Sequence, residues 1–181
     1  MTSPTTAMPL LEANDVNPER ARAILAEALS GADDGELYME RSESESFVFD
    51  DGRLKSAAYD SGEGFGLRVV AGETAGYAHA SEITEAAIGR AGQSAALARR
   101  GYSGTADLAP RRTNAKLYSD ADPLAQPSFS AKTELLQEID AFARVSDPRV
   151  VQVSVSLSGS HKEIDILRPD GAQGIDAALA L

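Results

Sequence analysis

Cysteine is absent from the 181 residues. That excludes a disulfide framework, a thiolate metal site and a cysteine nucleophile, and it agrees with a reducing compartment. Long apolar runs are missing as well. Nowhere do eighteen apolar residues follow one another, and the opening MTSPTTAMPLLEANDVNPER has no basic stretch leading into an apolar core. Neither a membrane-spanning helix nor a secretory signal is therefore read, and the expected location is the cytoplasm. Basic residues are in the minority, 17 against 28 acidic, for a net charge of −11. Such a surface repels a phosphate backbone, and no basic patch interleaved with aromatics offsets it, so direct nucleic-acid binding is not expected. Histidine is scarce. His79 and His161 are the only two, each on a presumptive strand and neither with a partner spaced to meet it on one helical face. Both are read as structural residues.

What is present is the composition of an ordinary globular chain, 43% hydrophobic and 25% charged, long enough for a real core. The most informative stretch is Glu40 to Ala80, ERSESESFVFDDGRLKSAAYDSGEGFGLRVVAGETAGYAHA. Phe47 and Phe49 share one side of a strand, Asp51-Gly52 signals a hairpin tip, and Arg53 to Tyr59 returns. Asp60-Ser61-Gly62 reads as a second turn into Gly64 to Val70, with Phe65, Leu67 and Val69 on one face. Ala71-Gly72-Glu73 then leads into Thr74 to His79. The sum is a four-strand meander, with Glu36 to Arg41 as an additional strand beside it and Ser42 to Glu45 as its continuation or turn.

Around the meander the helices announce themselves by their caps. Asn17 caps a helix that starts at Pro18 and carries Ala21, Ile24, Leu25, Ala28 and Leu29 on one face before Gly31. Ser81 is the expected cap of a second helix, about Glu82 to Arg100, with the stripe Ile83, Ala87, Ala91, Ala95 and Ala98. Gly101 to Phe129 reads as a long connection. Ser130 opens a third helix with a core stripe of Leu135, Leu136, Ile139, Phe142 and Ala143, closed by Asp147-Pro148. Val151 to Leu157 alternates cleanly with serines and glutamine, and Gly159-Ser160 is expected to turn it into His161 to Leu167 as a C-terminal hairpin. The fold class is thus α+β, a predominantly antiparallel sheet with three helices.

Other candidates for chemistry yield to simpler accounts. Gly62, Gly64 and Gly66 precede a strand rather than a helix, so they allow close backbone approach instead of cradling a phosphate. Asp50 and Asp51 belong to the turn. Ser42, Ser44 and Ser46, alternating with Glu43 and Glu45, have no histidine nearby in sequence to activate them and read as a solvated strand edge.

The succession of an acidic, Ser-rich strand, DDGRLKSA, GFGLRVV and GETAGYAHA resembles the N-terminal region of the TldD/PmbA family, in its TldD branch. The resemblance continues through LYSDADPLAQPSFSAKTELLQEIDAFAR and DPRVVQVSVSLSG to EIDILRPDG, roughly Asp33 to Gly171. It implies a cytoplasmic zinc metallopeptidase of unfolded peptides, first known as a modulator of DNA gyrase, that works with a PmbA/TldE-like subunit. In that family the zinc is held by an HExxxH helix further along a longer chain, and no HExxxH occurs here.

The expected layout is a flexible N-terminal arm over 1–16, a TldD/PmbA N-terminal-like domain over 17–171, and a tail over 172–181 where the chain is truncated before HExxxH. No catalytic, cofactor-binding or metal-binding residue is assigned. The chain is read as a non-catalytic N-terminal portion, inert by itself, with a stand-alone module that binds a PmbA/TldE-like partner as the alternative. An open sheet edge at Val151 to Leu157 is expected to let it self-associate.

Overall fold

The computed structural model describes residues 8–100, 122–169 and 173–180. Four α-helices, α1 (Pro9–Ala13), α2 (Pro18–Ala28), α3 (Glu85–Ala95) and α4 (Phe129–Ser146), accompany five strands, β1 (Asp34–Asp50), β2 (Arg53–Ala71), β3 (Thr74–Ala80), β4 (Ser154–Leu167) and β5 (Gln173–Ala180). The strands form one sheet in the order β3-β2-β1-β4-β5. β2 pairs antiparallel with β3 from Phe65↔Ala80 to Ala71↔Thr74. β1 and β4 also run antiparallel: Arg168, just past β4, grips Asp34 at the start of β1, while Gln152, just before β4, bonds Asp50 at the end of β1. The α+β class and the antiparallel sheet are as the sequence indicates.

The strands are longer and fewer than expected. Ser42 to Glu45 lies within β1, Asp60-Ser61-Gly62 within β2 and Gly159-Ser160 within β4, all extended rather than turned. A glycine-bearing triplet permits a reversal without demanding one, and the ladder with neighbouring strands wins. Within the expected meander the reversals are those where φ is positive, Asp51-Gly52 (φ 50° and 77°) and Gly72 (φ 58°). The hairpin neighbour of β4 is consequently β5, one strand later than expected. Most of the long connection, residues 101–121, lies outside the described residues, as do Asp170 and Gly171 of the expected turn.

The chain divides into two compact units. Unit 1 comprises residues 1–41, 62–117 and 163–176, and unit 2 comprises 42–61, 118–162 and 177–181.

In unit 1, Asn17 caps α2 as expected, its side chain accepting from the backbone N–H groups of Glu19 and Arg20. α3 is capped by Thr84 rather than Ser81, and its last turn tightens into a 3-10 helix, Ala96–Arg99. A Cβ on Gly92 would sit 3.3 Å from that of Ala28, so α2 and α3 pack closely there. The presumed N-terminal arm is corrected from Met8 onward. Met8, Leu10 and Leu11 are fully buried beside Leu37 and Met39 of β1 and Leu67 of β2. Apolar burial at these three positions outweighs the weak propensity of a five-residue helix. α1 is also pinned by Asp165 of β4, whose carboxylate accepts from the Leu10 N–H at 2.9 Å.

In unit 2, Phe47 and Phe49 of β1 pack with Leu136 of α4 and with Val155 and Leu157 of β4. The expected α4 stripe is corrected. Leu136 is buried, but Leu135, Ile139 and Phe142 are 45%, 40% and 73% exposed, while Lys132 and Asp140 are buried. The helix turns Lys132, Leu136 and Asp140, spaced i, i+4, i+8, inward, where Lys132 reaches Glu45 and Asp140 holds Arg144. β4 begins at Ser154, leaving Val151 86% exposed. β4 lies between β1 and β5, and β5, eight residues against fourteen, covers only part of it. An edge lacking a described neighbour is Arg53 to Ser61 of β2, because β3 reaches only from Phe65 onward.

Two outcomes follow. Gly52→Val forces a β-branched residue into positive φ at the hairpin tip and lowers stability by more than about 1 kcal/mol; an unchanged urea midpoint would refute the turn's role. Asp165 has its pKa raised, chiefly by burial, with the Leu10 N–H bond opposing and the charges of Glu163 and Glu12 adding to the rise. The unfolded chain releases this proton at a lower pH than the folded one, so stability falls as pH rises from the ordinary carboxylate range through the raised value. Asp165→Asn removes that fall, and the stability difference, variant minus parent, grows with pH in urea titrations; parallel profiles would contradict it.

Candidate functional site

The functional groups of unit 2 are distributed by strand alternation. Odd-numbered Glu43, Glu45 and Phe47 of β1, together with Tyr59 of β2, line a cavity of about 340 Å³ closed by Asp122, Leu124, Pro127 and Phe129 and by Lys132 of α4. Ser44 and Ser46 of β1, Ala58 and Asp60 of β2 and Ser158 to Ser160 of β4 line a groove of about 410 Å³ that shares Glu45 with the cavity.

Two polar clusters mark the cavity. Lys132, 4% exposed, bonds Glu45 at 2.5 Å and the Leu124 carbonyl at 2.9 Å, with the Phe47 ring 6.0 Å from its ammonium. Phe47 in turn lies against Phe129, ring centroids 5.5 Å apart. In the second cluster, ligand atoms of Glu43, Asp122 and His161 lie within 4.8 Å of one another. His161 is 8% exposed, its Nδ1 is 3.9 Å from Asp122 Oδ1, and among the described residues its buried Nε2 has no hydrogen-bond partner. Asp122 Oδ1 accepts from the Leu124 N–H at 2.7 Å, which fixes its carboxylate. Interaction with the Glu43 carboxylate is the main reason the Tyr59 phenol pKa is raised.

The other residues singled out in the sequence are dispersed. His79 belongs to unit 1, on β3, its ring centroid 5.7 Å from that of Tyr77. Gly64 and Gly66 face the paired strand, where a Cβ would stand 2.7 Å from the Ala80 carbonyl or 2.8 Å from the Tyr77 ring, so they serve close packing as expected. Asp50 and Asp51 do not act as a pair; Gln152 bonds the first and Arg144 the second. Ser44 and Ser46 are exposed on the groove face. Sequence reasoning missed the joining of Glu43, Asp122 and His161, because they are distant in sequence and His161 was assigned to a strand after a turn. The legible signal was parity: with β4 unbroken, His161 is odd-numbered like Val155 and Leu157.

The Lys132–Glu45 pair is buried enough that removing one partner strands the other. Lys132→Ala is expected to cost about 3 kcal/mol, and replacing both residues by methionine to recover most of the loss in chemical denaturation. A negligible single-variant effect would mean that the pair is effectively solvated.

Residues 35–98 match the family described as PmbA/TldA metallopeptidase domain 1, and residues 122–178 the PmbA/TldA metallopeptidase central domain. Relatives include a protein named Metalloprotease TldD homolog from Buchnera aphidicola subsp. Acyrthosiphon pisum, 30% identical over 164 residues, which are 90% of this chain and 34% of the relative. The protein of the same name from Haemophilus influenzae is 33% identical over 151 residues, 80% of this chain and 30% of its own. The chain thus spans about a third of the length of these relatives. Among solved structures, TldE from Thermococcus kodakarensis superposes with a TM-score of 0.64 at 18% identity, over 89% of this chain and 36% of its own. A protein titled putative modulator of a DNA gyrase from Thermotoga maritima gives 0.64 at 15%, with the same coverage. These two share the fold. With both domain matches in order along one chain, and TldD-named relatives at about 30% identity, the protein belongs to the TldD/PmbA family.

Proposed function

We propose that this chain forms the N-terminal, non-catalytic part of a TldD-type metallopeptidase of the cytoplasm, one that takes part in proteolysis of unfolded peptides. One observation carries the reading: two consecutive domains of the family are matched over 35–178, yet the sequence holds no HExxxH. The zinc of that family calls for two imidazoles and a glutamate on one helix. The donors here do not fit it. The two histidines stand on strands β3 and β4 and in different units, so no hydrolytic step is assigned to these residues. In this reading the peptidase chemistry resides in the portion of the relatives' length that this chain does not span.

The role left to the chain is contact, with peptides and with a TldE-like subunit. Two features of unit 2 support it. Arg53 to Ser61 of β2 offers an edge without a described neighbour, suited to an extended peptide or partner strand. Phe142 and Val145 of α4, 73% and 82% exposed, offer apolar surface. The same edge favours the second reading, a stand-alone interaction module that regulates rather than cuts, and is the place where copies of the chain would self-associate.

The purified chain, incubated with an unstructured peptide and zinc, is expected to leave the peptide intact, and in sedimentation to co-migrate with a TldE-like protein. Cleavage that follows the chain through purification and stops with a chelator would overturn the non-catalytic assignment. Failure to bind the TldE-like protein would remove the proposed partner.

A further inference from the structure

We propose that Glu43, Asp122 and His161 form a binding site for a divalent transition ion, separate from the family's HExxxH zinc. The site lies within unit 2, with Glu43 supplied by β1, His161 by β4 and Asp122 by the segment leading to α4. One imidazole and two carboxylates are donors suited to an ion in the Mn²⁺ to Zn²⁺ range.

Three observations support it. First, the geometry is close to that of ligands sharing one ion. Their donor atoms lie within 4.8 Å, and three ligands at about 2.0–2.2 Å from one ion stand about 3–3.8 Å apart, so side-chain rotations that bring them together by about 1 Å close the site. The 3.9 Å between His161 Nδ1 and Asp122 is too long for a hydrogen bond and close to the spacing of two ligands of a common ion. Second, His161 is buried, and among the described residues neither ring nitrogen is hydrogen-bonded, Nε2 having no partner and Nδ1 standing 3.9 Å from Asp122, so an imidazole lone pair is free to ligate. Third, among the described residues the two carboxylates have no paired Lys or Arg: Asp122 is held by the Leu124 N–H and Glu43 interacts with Tyr59. The nearby ammonium of Lys132 is committed to Glu45. Two like charges beside an imidazole without a cation are stabilised by a divalent ion.

Tyr59 is then a positioning residue that fixes Glu43 for the ion. Calorimetric titration of the metal-free chain with ZnCl₂, and separately with MnCl₂, is expected to show one equivalent bound, tighter for zinc. Glu43→Gln and Asp122→Asn, at half-buried and exposed side chains that spare the core, should each weaken binding at least tenfold. Tyr59→Phe should weaken it by about tenfold without changing the stoichiometry, and His79→Gln should leave it unchanged. The buried His161→Gln is read only alongside circular dichroism showing an intact fold. Absence of uptake, uptake indifferent to Glu43→Gln and Asp122→Asn, or loss of binding with His79→Gln would each overturn the assignment.

Discussion

The pairing of β4 with β1, anchored beside the Asp51-Gly52 turn, governs the chemistry of unit 2. Side chains alternate strictly along a strand, so a pairing that slips by one residue sends every functional group to the opposite face. Glu43, Glu45 and Phe47 of β1 share their parity with Val155, Leu157 and His161 of β4, and Tyr59 of β2 lines the same cavity, while Ser44, Ser46, Ala58 and Asp60 line the other groove. Arg144 of α4 bonds Asp51, and the Val153 carbonyl accepts from the Asp51 N–H, so helix and fourth strand are indexed to the same tip. The cavity, the Lys132–Glu45 pair and the imidazole–carboxylate cluster all inherit that register.

Continuity of β4 is the second constraint. A reversal at Gly159-Ser160 would have placed His161 on a different strand from Val155 and Leu157. Because β4 runs through to Leu167, His161 keeps their parity and reaches Asp122. The same continuity carries β4 into unit 1, where Asp165 meets the Leu10 N–H and Arg168, following the strand, meets Asp34 and Glu36.

Much of this was legible, and what was not has physical causes. Asn17-Pro18, Asp51-Gly52 and the alternation of Phe65, Leu67 and Val69 encode local events, and each appears as read. The triplets at 60–62 and 159–160 are ambiguous because glycine tolerates extended backbone as readily as a turn, and only pairing across the sheet decides. α1 could not be read, since five residues carry no period and its burial depends on distant Leu37 and Leu67. The facing of α4 was missed because its apolar stripe competes with Lys132, whose burial makes sense only once Glu45 is opposite. Long-range pairing of charges leaves no local signature. The family resemblance, by contrast, rests on the order of whole segments and survives errors in their boundaries.

The claim that register gathers dispersed polar residues into one ion site is tested most directly by paramagnetic broadening in the nuclear magnetic resonance spectrum of the chain. Substoichiometric Mn²⁺ is expected to erase the signals of residues around Glu43, Tyr59, Asp122 and His161 first, and to spare Ser44 and Ser46 longer than their neighbours' side chains on the opposite face. Broadening that begins instead at Asp34 and Glu36, or that spreads evenly over the acidic surface, would contradict it.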